Sequence, residues 1–362
     1  MIRKRVLVLI CAAVLCGILI AGLVPFQRPR NGVTWLGNEN GLRFGINGTV
    51  LSSGTFQVAA GQDDASCSLE IWLEPGLVNG SNTLLSFSTP ENPLQLSLRR
   101  YRASLELKRE ISGAQHRSEM IGIENVFHQN KPVFITITSG AKKTSVYIDG
   151  ALAQSFPRFR FGKDCAGELV IGTSPIGNDS SPGKILGLAI YQRELEPAEV
   201  FEHYGSWTSK GRPNLSGNEQ ATAVYPFNER AGNIVHNALS SGVDLFVPKR
   251  FSLLHQPFLE PFWKEFQPTA SYWGDILINI IGFIPLGFFF FAYWSTTRPI
   301  KHAALTTVVL GFATSLTIEV LQSYLPTRFS GTTDLITNTF GTFVGVRLYA
   351  SKAGQALLAK VY

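Results

Sequence analysis

Four long apolar runs constrain the fold of this 362-residue chain more than any other feature. The first covers residues 6–25, which carry no charge and are long enough to cross a hydrocarbon core of about 30 Å. Three more follow at 275–294, 303–325 and 333–350. Buried core helices are the alternative, but three successive runs rich in Gly and Phe and joined by short loops favour a membrane bundle. We therefore expect a bundle of four transmembrane helices.

The first run also allows a second interpretation, a cleaved secretory signal peptide, because Arg3, Lys4 and Arg5 precede it. The run is longer than the roughly 7–15 apolar residues of such peptides, and no small-residue cleavage site follows it. We expect an uncleaved anchor, with residues 1–27 forming a cytoplasmic N-terminus and the first transmembrane helix.

The positions of the basic residues predict which way the helices run. The formal net charge is +6, and residues 26–274 hold 23 basic and 23 acidic residues, so the whole excess lies in the apolar ends. With the N-terminus in the cytoplasm, eight of the nine basic residues of those ends fall on the cytoplasmic side, as the positive-inside rule expects. Only Arg328 falls outside. We expect an integral protein of the cell (inner) membrane with both termini cytoplasmic, a cytoplasmic tail at 351–362, and residues 26–274 extracytoplasmic.

The same distribution excludes several function classes. A positive net charge normally suggests nucleic acid as a partner, but the middle of the chain is neutral, so membrane lipid is the expected partner and nucleic acid is not. No G-x-S-x-G, H-E-x-x-H, P-loop or C-x-x-C motif occurs. Hydrolase and nucleotide-binding functions therefore have no support from motifs.

The region from about 33 to 205 has the pattern of β-structure. Short alternating segments rich in Val, Ile, Thr, Phe and Tyr recur between Gly, Asn and Pro. Asp149-Gly150 separates two of them and predicts a hairpin, since a type I′ turn needs positive φ at both central residues. Many short strands in one region predict a two-sheet sandwich. The clearest segments are SLEIWLEP (68–75), VFITITS (133–139), SVYIDGALAQSF (145–156) and ELVIGT (168–173).

These strands carry a family resemblance. SLEIWLEP, SVYIDG, ELVIGT and the closing GKILGLAIYQRELEPAEVFEHY (183–204) resemble, in this order, the LamG/concanavalin A-like jelly-roll family. The resemblance implies an all-β sandwich of a type that often binds an envelope glycan or a protein, with calcium in some members. A later segment at 223–248 looks like the opening strands of such domains. We expect the sandwich to cover residues 33–250, with a linker at 251–274.

The sequence offers no ligand set for a metal or a cofactor. Asp63 and Asp64 are as readily explained as a solvated loop, so calcium in the sandwich has no supporting ligand set, and no other cofactor is identified. Trp72 fits the core better than a sugar-binding platform. Three histidines are scattered without metal-ligand spacing: His203, His236 and His255.

Cys67 and Cys165 are the two cysteines outside the apolar runs. An even pair in an oxidising compartment permits a disulfide, and each residue stands just before a predicted strand. Two unpaired cysteines are the alternative.

The acidic residues of the membrane portion predict a polar pocket. Three acids, Asp275, Glu319 and Asp334, fall near its extracytoplasmic side. Burying an ionisable group in a membrane span costs free energy, so such groups are candidates for a functional site. Each acid has an Asn or Gln three or four positions later, on the same helix face. Arg328, the basic residue expected outside the membrane, adds a positive charge to the pocket. N-terminal capping is the alternative for Asp275 and Asp334, although it explains Glu319 badly. The predicted pocket residues are Asp275, Asn279, Glu319, Gln322, Arg328, Asp334 and Asn338.

These positions resemble the VanZ-like membrane protein family. DILINIIGFIPLGF is similar to its NxxxFxPLGF helix, and SLTIEVLQSYLPTRFSGTTDLITNTFGTFVG to its ExxQxxxxxRxxxxxDxxxNxxG signature. The resemblance covers about 75 residues and implies a VanZ-like four-helix bundle, here with the LamG-like sandwich inserted between the first and second spans. No reaction is established for the family at large. The matching positions are Asn279, Pro285, Gly287, Glu319, Gln322, Arg328, Asp334, Asn338 and Gly341.

Three functions fit these patterns. The first is an envelope membrane protein whose outer sandwich binds a carbohydrate or a protein. The second is a membrane-embedded enzyme or carrier for lipid-linked envelope precursors that uses Glu319, Arg328 and Asp334. The third is a structural anchor. Whether the chain is an enzyme stays open at this point.

Overall fold

The computed structural model describes residues 2–57, 65–111, 117–214, 221–239, 242–266 and 268–361. It divides into two units. The sandwich unit comprises residues 29–255, and the helical unit comprises residues 1–28 and 256–362. The sandwich unit therefore lies, along the sequence, between the two segments of the helical unit.

Strands dominate the described part of the sandwich unit. The central strands, such as the one at 133–139, are buried on both faces, whereas the strand at 117–123 is exposed or half-buried along its length. In chain order they are β1 (Val33–Trp35), β2 (Leu42–Phe44), β3 (Val50–Phe56), β4 (Cys67–Pro75), β5 (Ser81–Ser88), β6 (Leu96–Tyr101), β7 (Ser104–Ile111), β8 (Arg117–Ile123), β9 (Val133–Ser139), β10 (Thr144–Ile148), β11 (Ala151–Phe156), β12 (Gly167–Ile171), β13 (Gly183–Tyr191), β14 (Ala221–Tyr225), β15 (Ile234–Val235) and β16 (Leu245–Phe246).

The strands form two antiparallel sheets that enclose one apolar core. The first has the order β1-β2-β13-β4-β9-β10-β11, with β14 paired to β13, and the second has the order β15-β16-β3-β12-β5-β6-β7-β8. In the first sheet Leu69 lies opposite both Ile137 and Ile190. These side chains, together with Phe87 and Leu98 of the second sheet, are almost fully buried. The sequence prediction of an all-β sandwich is therefore confirmed.

The hairpin between β10 and β11 has the predicted turn. Asp149 has φ 50° and Gly150 has φ 78°, as a type I′ turn requires. The Asp149 side chain also accepts a hydrogen bond from the Phe134 backbone N–H at 2.9 Å, which ties the turn to β9.

Cys67 and Cys165 form a disulfide in the structure. The bond joins the first residue of β4, in the first sheet, to the segment just before β12, in the second sheet. It closes a loop with a sequence separation of 98 residues, and cross-links over loops of this length stabilise a fold by restricting the unfolded chain.

A helix that the strand pattern does not predict, α2 (Pro197–Lys210), packs on the first sheet. Beneath it the buried Glu70 carboxylate accepts hydrogen bonds from the Tyr191 hydroxyl at 2.9 Å and from Trp207 Nε1 at 3.0 Å. Its other oxygen lies 2.7 Å from Nδ1 of His203, which is buried as well. Because a buried charge is stable only when it is hydrogen-bonded, this network holds α2 to the sheet. His203, which has no metal-ligand spacing in the sequence, therefore contributes to packing.

The helical unit contains α1 (Ile2–Leu23), α3 (Phe262–Glu265), α4 (Ala270–Ala292), a π-helical turn (Tyr293–Thr297), α5 (Ala303–Gln322), α6 (Thr332–Ala350) and α7 (Lys352–Val361). Among the described residues, three segments are long and apolar enough to cross a membrane: Arg5–Leu23, Ala270–Thr297 and Ala303–Gln322. α6 is not one of them, because Thr, Asn, Asp and Arg side chains make it less apolar. A fourth span stays a prediction.

Small residues let α4 and α6 pack closely. A β-carbon on Gly341 would overlap the Ile280 backbone carbonyl, and one on Gly345 would overlap the carbonyl of Ile284. Close backbone approach at small residues is a common basis of helix packing in membranes. This contact brings the first half of α4 and the start of α6 together at one end of the helical unit.

Candidate functional site

A cavity of about 740 Å³ lies among α1, α4, α5 and α6 in the helical unit. Its wall is formed by the end of α1, the segment around α3, the first half of α4, the end of α5, the loop before α6 and the start of α6. All seven residues that the sequence groups into a polar pocket line this cavity: Asp275, Asn279, Glu319, Gln322, Arg328, Asp334 and Asn338.

Three charged residues from the predicted linker line the same cavity: Glu260, Lys264 and Glu265. They lie on α3 or directly before it. A usable sequence signal exists, since EPFWKE (260–265) combines aromatic and charged residues directly before a span, which is typical of a membrane interface. The linker prediction treats these residues as a connection and so misses them.

Two carboxylates cover the start of α6. Glu319 is buried, with only 1% of its surface exposed, and its Oε2 accepts a hydrogen bond from the Gly331 backbone N–H at 2.9 Å. Glu265 Oε2 accepts from the Thr333 backbone N–H at 3.2 Å. The first N–H groups of a helix have no partner within the helix, and the helix dipole favours negative charge there. These acids therefore fix the loop before α6 to α5 and to α3.

The cavity amides bond across helices rather than within one. Asn279 Nδ2 on α4 donates to Asp334 Oδ1 on α6 at 2.7 Å. Asn338 Nδ2 on α6 donates to Ser315 Oγ on α5 at 3.0 Å. Helical spacing places each predicted acid–amide pair on one face, but these hydrogen bonds join α4 to α6 and α6 to α5.

The capping alternative is wrong for Asp275. α4 begins at Ala270, and its N-cap is Thr269, whose side chain accepts from the Tyr272 backbone N–H at 3.3 Å. Asp275 therefore lies inside the helix and is exposed toward the cavity. Asp334 does lie in the first turn of α6, where the helix dipole favours an acid, although the N-cap is Gly331.

The end of α1 is capped by side chains from elsewhere in the unit. Gln322 Nε2 donates to the Gly22 carbonyl at 2.7 Å, and the Arg328 guanidinium donates to the carbonyl of Val24. The last carbonyls of a helix lack partners within it, so these bonds satisfy two of them. Arg328 is thereby held at the cavity with its position set by α1.

Metal-ligand clusters are not found in the described part of the chain: no group of three or more His, Cys, Asp or Glu side chains is arranged to hold an ion. Asp63 and Asp64 lie outside the described residues. Trp72 is partly buried against the core beneath α2, which agrees with the predicted packing role. His236 is exposed and lies 3.6 Å from Glu229. Calcium in the sandwich stays an implication of the family resemblance, without a ligand set in the sequence.

Two family models match the chain. The concanavalin A-like lectin/glucanases superfamily matches residues 47–201, and VanZ/LLP1 matches residues 217–353. The second match begins just before β14, so it includes strands that the structure places in the sheets of the sandwich. No curated protein matches the chain.

Several solved structures are similar to part of the chain. The receptor binding domain of botulinum neurotoxin D is 15% identical with a TM-score of 0.36, over 52% of this chain and 50% of its own. The ligand binding domain of botulinum neurotoxin serotype D in complex with N-acetylneuraminic acid is 13% identical with a TM-score of 0.36, over 62% and 73%. The heptameric SAP-like pentraxin from Limulus polyphemus is 14% identical with a TM-score of 0.36, over 63% and 96%.

The family matches agree with both resemblances seen in the sequence, and the apolar helices agree with the membrane character of the second family. The chain therefore combines a region that matches the concanavalin A-like lectin/glucanases superfamily, residues 47–201, with a region that matches VanZ/LLP1, residues 217–353.

Proposed function

We propose that this protein is a binding protein of the cell envelope, anchored in the cell membrane by four spans. Its sandwich unit contacts an envelope glycan or a protein outside the membrane. Its helical unit holds the polar end of a membrane amphiphile in the cavity. The observation that carries the proposal is this cavity, whose lining combines charged and apolar side chains.

The apolar part of the lining supports an amphiphilic ligand. It consists of Ile18 of α1, Ile276, Ile278 and Phe283 of α4, and Ile318 of α5. Ile278 is also 68% exposed, as a lipid-facing side chain is. Ligand sites combine apolar surface with a few polar groups that orient the ligand. A lipid-like molecule has both an apolar chain and a polar head group, so it matches both parts of the lining.

Exposed aromatic side chains support a membrane interface at this end of the helical unit. Aromatic rings are enriched where the hydrocarbon core meets the head groups. They occur here around α3, at the start of α4 and in the loop after α5, which are the segments that form the cavity wall. More than half of each of these side chains is exposed: Phe258, Phe262, Trp263, Phe266, Trp273, Tyr324 and Phe329.

The proposed orientation rests on two further features. The positive-inside rule assigns residues 26–274 to the outside, and the Cys67–Cys165 disulfide is of the kind that persists in oxidising compartments. α6 returns the chain to the cytoplasm in this arrangement, so that Arg347 in its last turn lies on the inner side.

Binding fits the contacts better than catalysis does. Glu319 is engaged by the Gly331 N–H, Asp334 by Asn279, and Arg328 by the Val24 carbonyl. A general acid or base needs to reach the proton it transfers, and these groups are already held by the scaffold. An enzyme or carrier for lipid-linked envelope precursors would use the same cavity, and a structural anchor would leave it empty of lipid.

The experiment compares two glycines of α4. A β-carbon at either Gly274 or Gly282 meets nothing within 4 Å, but only Gly282 belongs to the cavity lining. Both Gly→Leu changes raise helix propensity equally. We expect native mass spectrometry of the detergent-purified full chain to show retained lipid in the wild type and in Gly274→Leu, and its loss in Gly282→Leu. Equal lipid retention by both variants would contradict the proposal.

A further inference from the structure

We infer that the head group held in the cavity carries a protonated primary amine. This inference rests on the proposed function, because it names the chemistry of the ligand that the cavity receives. Three observations carry it: the sign of the cavity charge, the lack of internal ion pairs, and buried acceptor atoms without donors.

Acidic side chains outnumber basic ones in the cavity lining. The lining holds five carboxyl groups and two basic side chains, Lys264 and Arg328. With all groups ionised the lining has three negative charges in excess, which repels a purely anionic head group and attracts a cation. The carboxylates are those of Glu260, Glu265, Asp275, Glu319 and Asp334.

The two cations do not neutralise these acids within the structure. Among the described residues, no ion pair within 4.0 Å joins Lys264 or Arg328 to a carboxylate of the cavity. Asp275 accepts no side-chain hydrogen bond from a described residue either. Neutral donors of the chain bond to Glu319, Glu265 and Asp334, but no basic side chain among the described residues pairs with them. Charge without a counter-charge in a partly apolar site is costly, so a cationic ligand offsets it.

Buried oxygen atoms make an independent demand for donors. The side chains of Gln322 and Asn338 line the cavity and are only 7% and 5% exposed. Their amide groups donate, to Gly22 and to Ser315, but Gln322 Oε1 and Asn338 Oδ1 accept from none of the described residues. Oε1 of Glu265 is in the same state. The hydroxyls of Thr327 and Thr333 also line the cavity without a partner, but a hydroxyl can donate as well as accept. The three amide and carboxylate oxygens can only accept, and buried acceptors without donors are destabilising.

A primary ammonium group meets both demands. It carries one positive charge and three N–H donors, whereas a phosphate or a carboxylate brings only acceptors and negative charge. A divalent metal is a poorer match, since the described residues contain no group of three His, Cys, Asp or Glu side chains placed to hold one. Lys264 and Arg328 leave room in the charge pattern for a phosphate next to the amine. Ethanolamine-type lipid head groups combine the two.

The experiment titrates the detergent-solubilised full chain with three short-chain phospholipids of equal chain length. They are phosphatidylethanolamine, its N-acetyl derivative, and phosphatidylcholine, whose quaternary nitrogen keeps the charge and lacks N–H donors. Binding is followed by calorimetry. A hydrogen-bonded charged group contributes about tenfold to a hundredfold in affinity, so we expect the ethanolamine lipid to bind that much more tightly than the other two.

The outcomes separate the inference from the proposed function. If none of the three lipids binds, the proposed function fails and the inference with it. If all three bind equally, the amphiphile site stands and the amine is overturned. If soluble phosphoethanolamine binds as tightly as the lipid, the ligand is not a membrane lipid. If binding needs Ca²⁺ and disappears with EDTA, a metal ion rather than the amine supplies the positive charge.

Two variants test the same point within the protein. Asp275→Asn removes one cavity charge at a residue whose side chain accepts no hydrogen bond from a described residue, so we expect the fold to be preserved. We expect the preference for the amine over its N-acetyl form to fall about two- to fivefold, the range for one partly solvated charge. The matched control, Glu91→Gln, changes an exposed acid of the sandwich unit and leaves the preference unchanged. An unchanged preference in Asp275→Asn would contradict the inference.

Discussion

At the scale of single residues, Glu319 shows how one side chain supports a loop as well as a cavity. It lies on α5, is almost fully buried, and accepts the backbone N–H of Gly331 twelve positions later. A carboxylate among apolar helices is stable only with such a donor. Its hydrogen-bonding capacity and its charge can be separated by substitution.

We predict that Glu319→Gln folds normally, whereas Glu319→Leu is destabilised. The glutamine keeps a carbonyl oxygen that can accept from the Gly331 N–H, but leucine leaves that N–H unsatisfied, at a cost of about 1–3 kcal/mol. Thermal unfolding of the purified full chain in detergent measures the difference. If both variants lose the same stability, the charge rather than the hydrogen bond supports the loop.

Asp164 in the sandwich unit makes a second residue-level prediction, for pH. Burial raises the pKa of its carboxyl from 3.8 to about 6, although Arg109 Nε lies 3.1 Å away and opposes the shift. Between about pH 4 and 6 the folded state therefore keeps a proton that the unfolded chain has released. The contribution to stability is complete below pH 4 and is lost as the pH rises through about 6.

We expect the free energy of unfolding of the sandwich to fall by up to about 2 kcal/mol from this group between pH 4 and 6, and the fall to disappear in Asp164→Asn. Urea unfolding followed by tryptophan fluorescence over this range measures both. A rise in stability with pH that the variant removes would show the opposite sign and contradict the assignment.

At the scale of elements, the contact between α4 and α6 sets the geometry of the cavity. We predict that Gly341→Leu lowers the stability of the helical unit by about 1–3 kcal/mol, because the side chain overlaps the Ile280 carbonyl. Gly17→Leu on α1 is the control, since a β-carbon there meets nothing within 4 Å. Thermal unfolding in detergent compares the two, and equal effects would show that α4 and α6 are able to separate without loss.

Elements with a local pattern are predictable and those without one are not. Alternation identifies β9 at its exact bounds, and Asp149-Gly150 identifies the turn after β10. α2 follows β13, in the segment whose family resemblance indicates the closing part of the domain. The face of α2 that packs inward is identified only by its contacts with Glu70 and the first sheet. α4 begins at Ala270, five residues before the expected start at Asp275, because Thr269 caps it.

At the level of the whole molecule, the prediction concerns the number of helices that cross the membrane. We predict that alkaline phosphatase, which is active only outside the cytoplasm, is active when fused after residue 255 or 328 and inactive after residue 300 or 362. The expectation follows from the positions of the basic residues and from α6 crossing the membrane. A fluorescent protein that folds only in the cytoplasm provides the inverse control. Phosphatase activity after both 328 and 362 would leave α6 outside the membrane.

Local patterns in the sequence predict the parts of this protein that form between neighbouring residues. Apolar runs mark the helices, alternation marks most strands, and helical spacing groups the acids and amides that line the cavity. Which side chains bond to each other depends on the packing of the helices. The tertiary structure bonds Asn279 to Asp334, brings Glu260, Lys264 and Glu265 to the cavity, and leaves acceptor atoms there without donors. Hydrogen bonds form between groups that are close in space, and positions 55 residues apart become neighbours only when the helices pack.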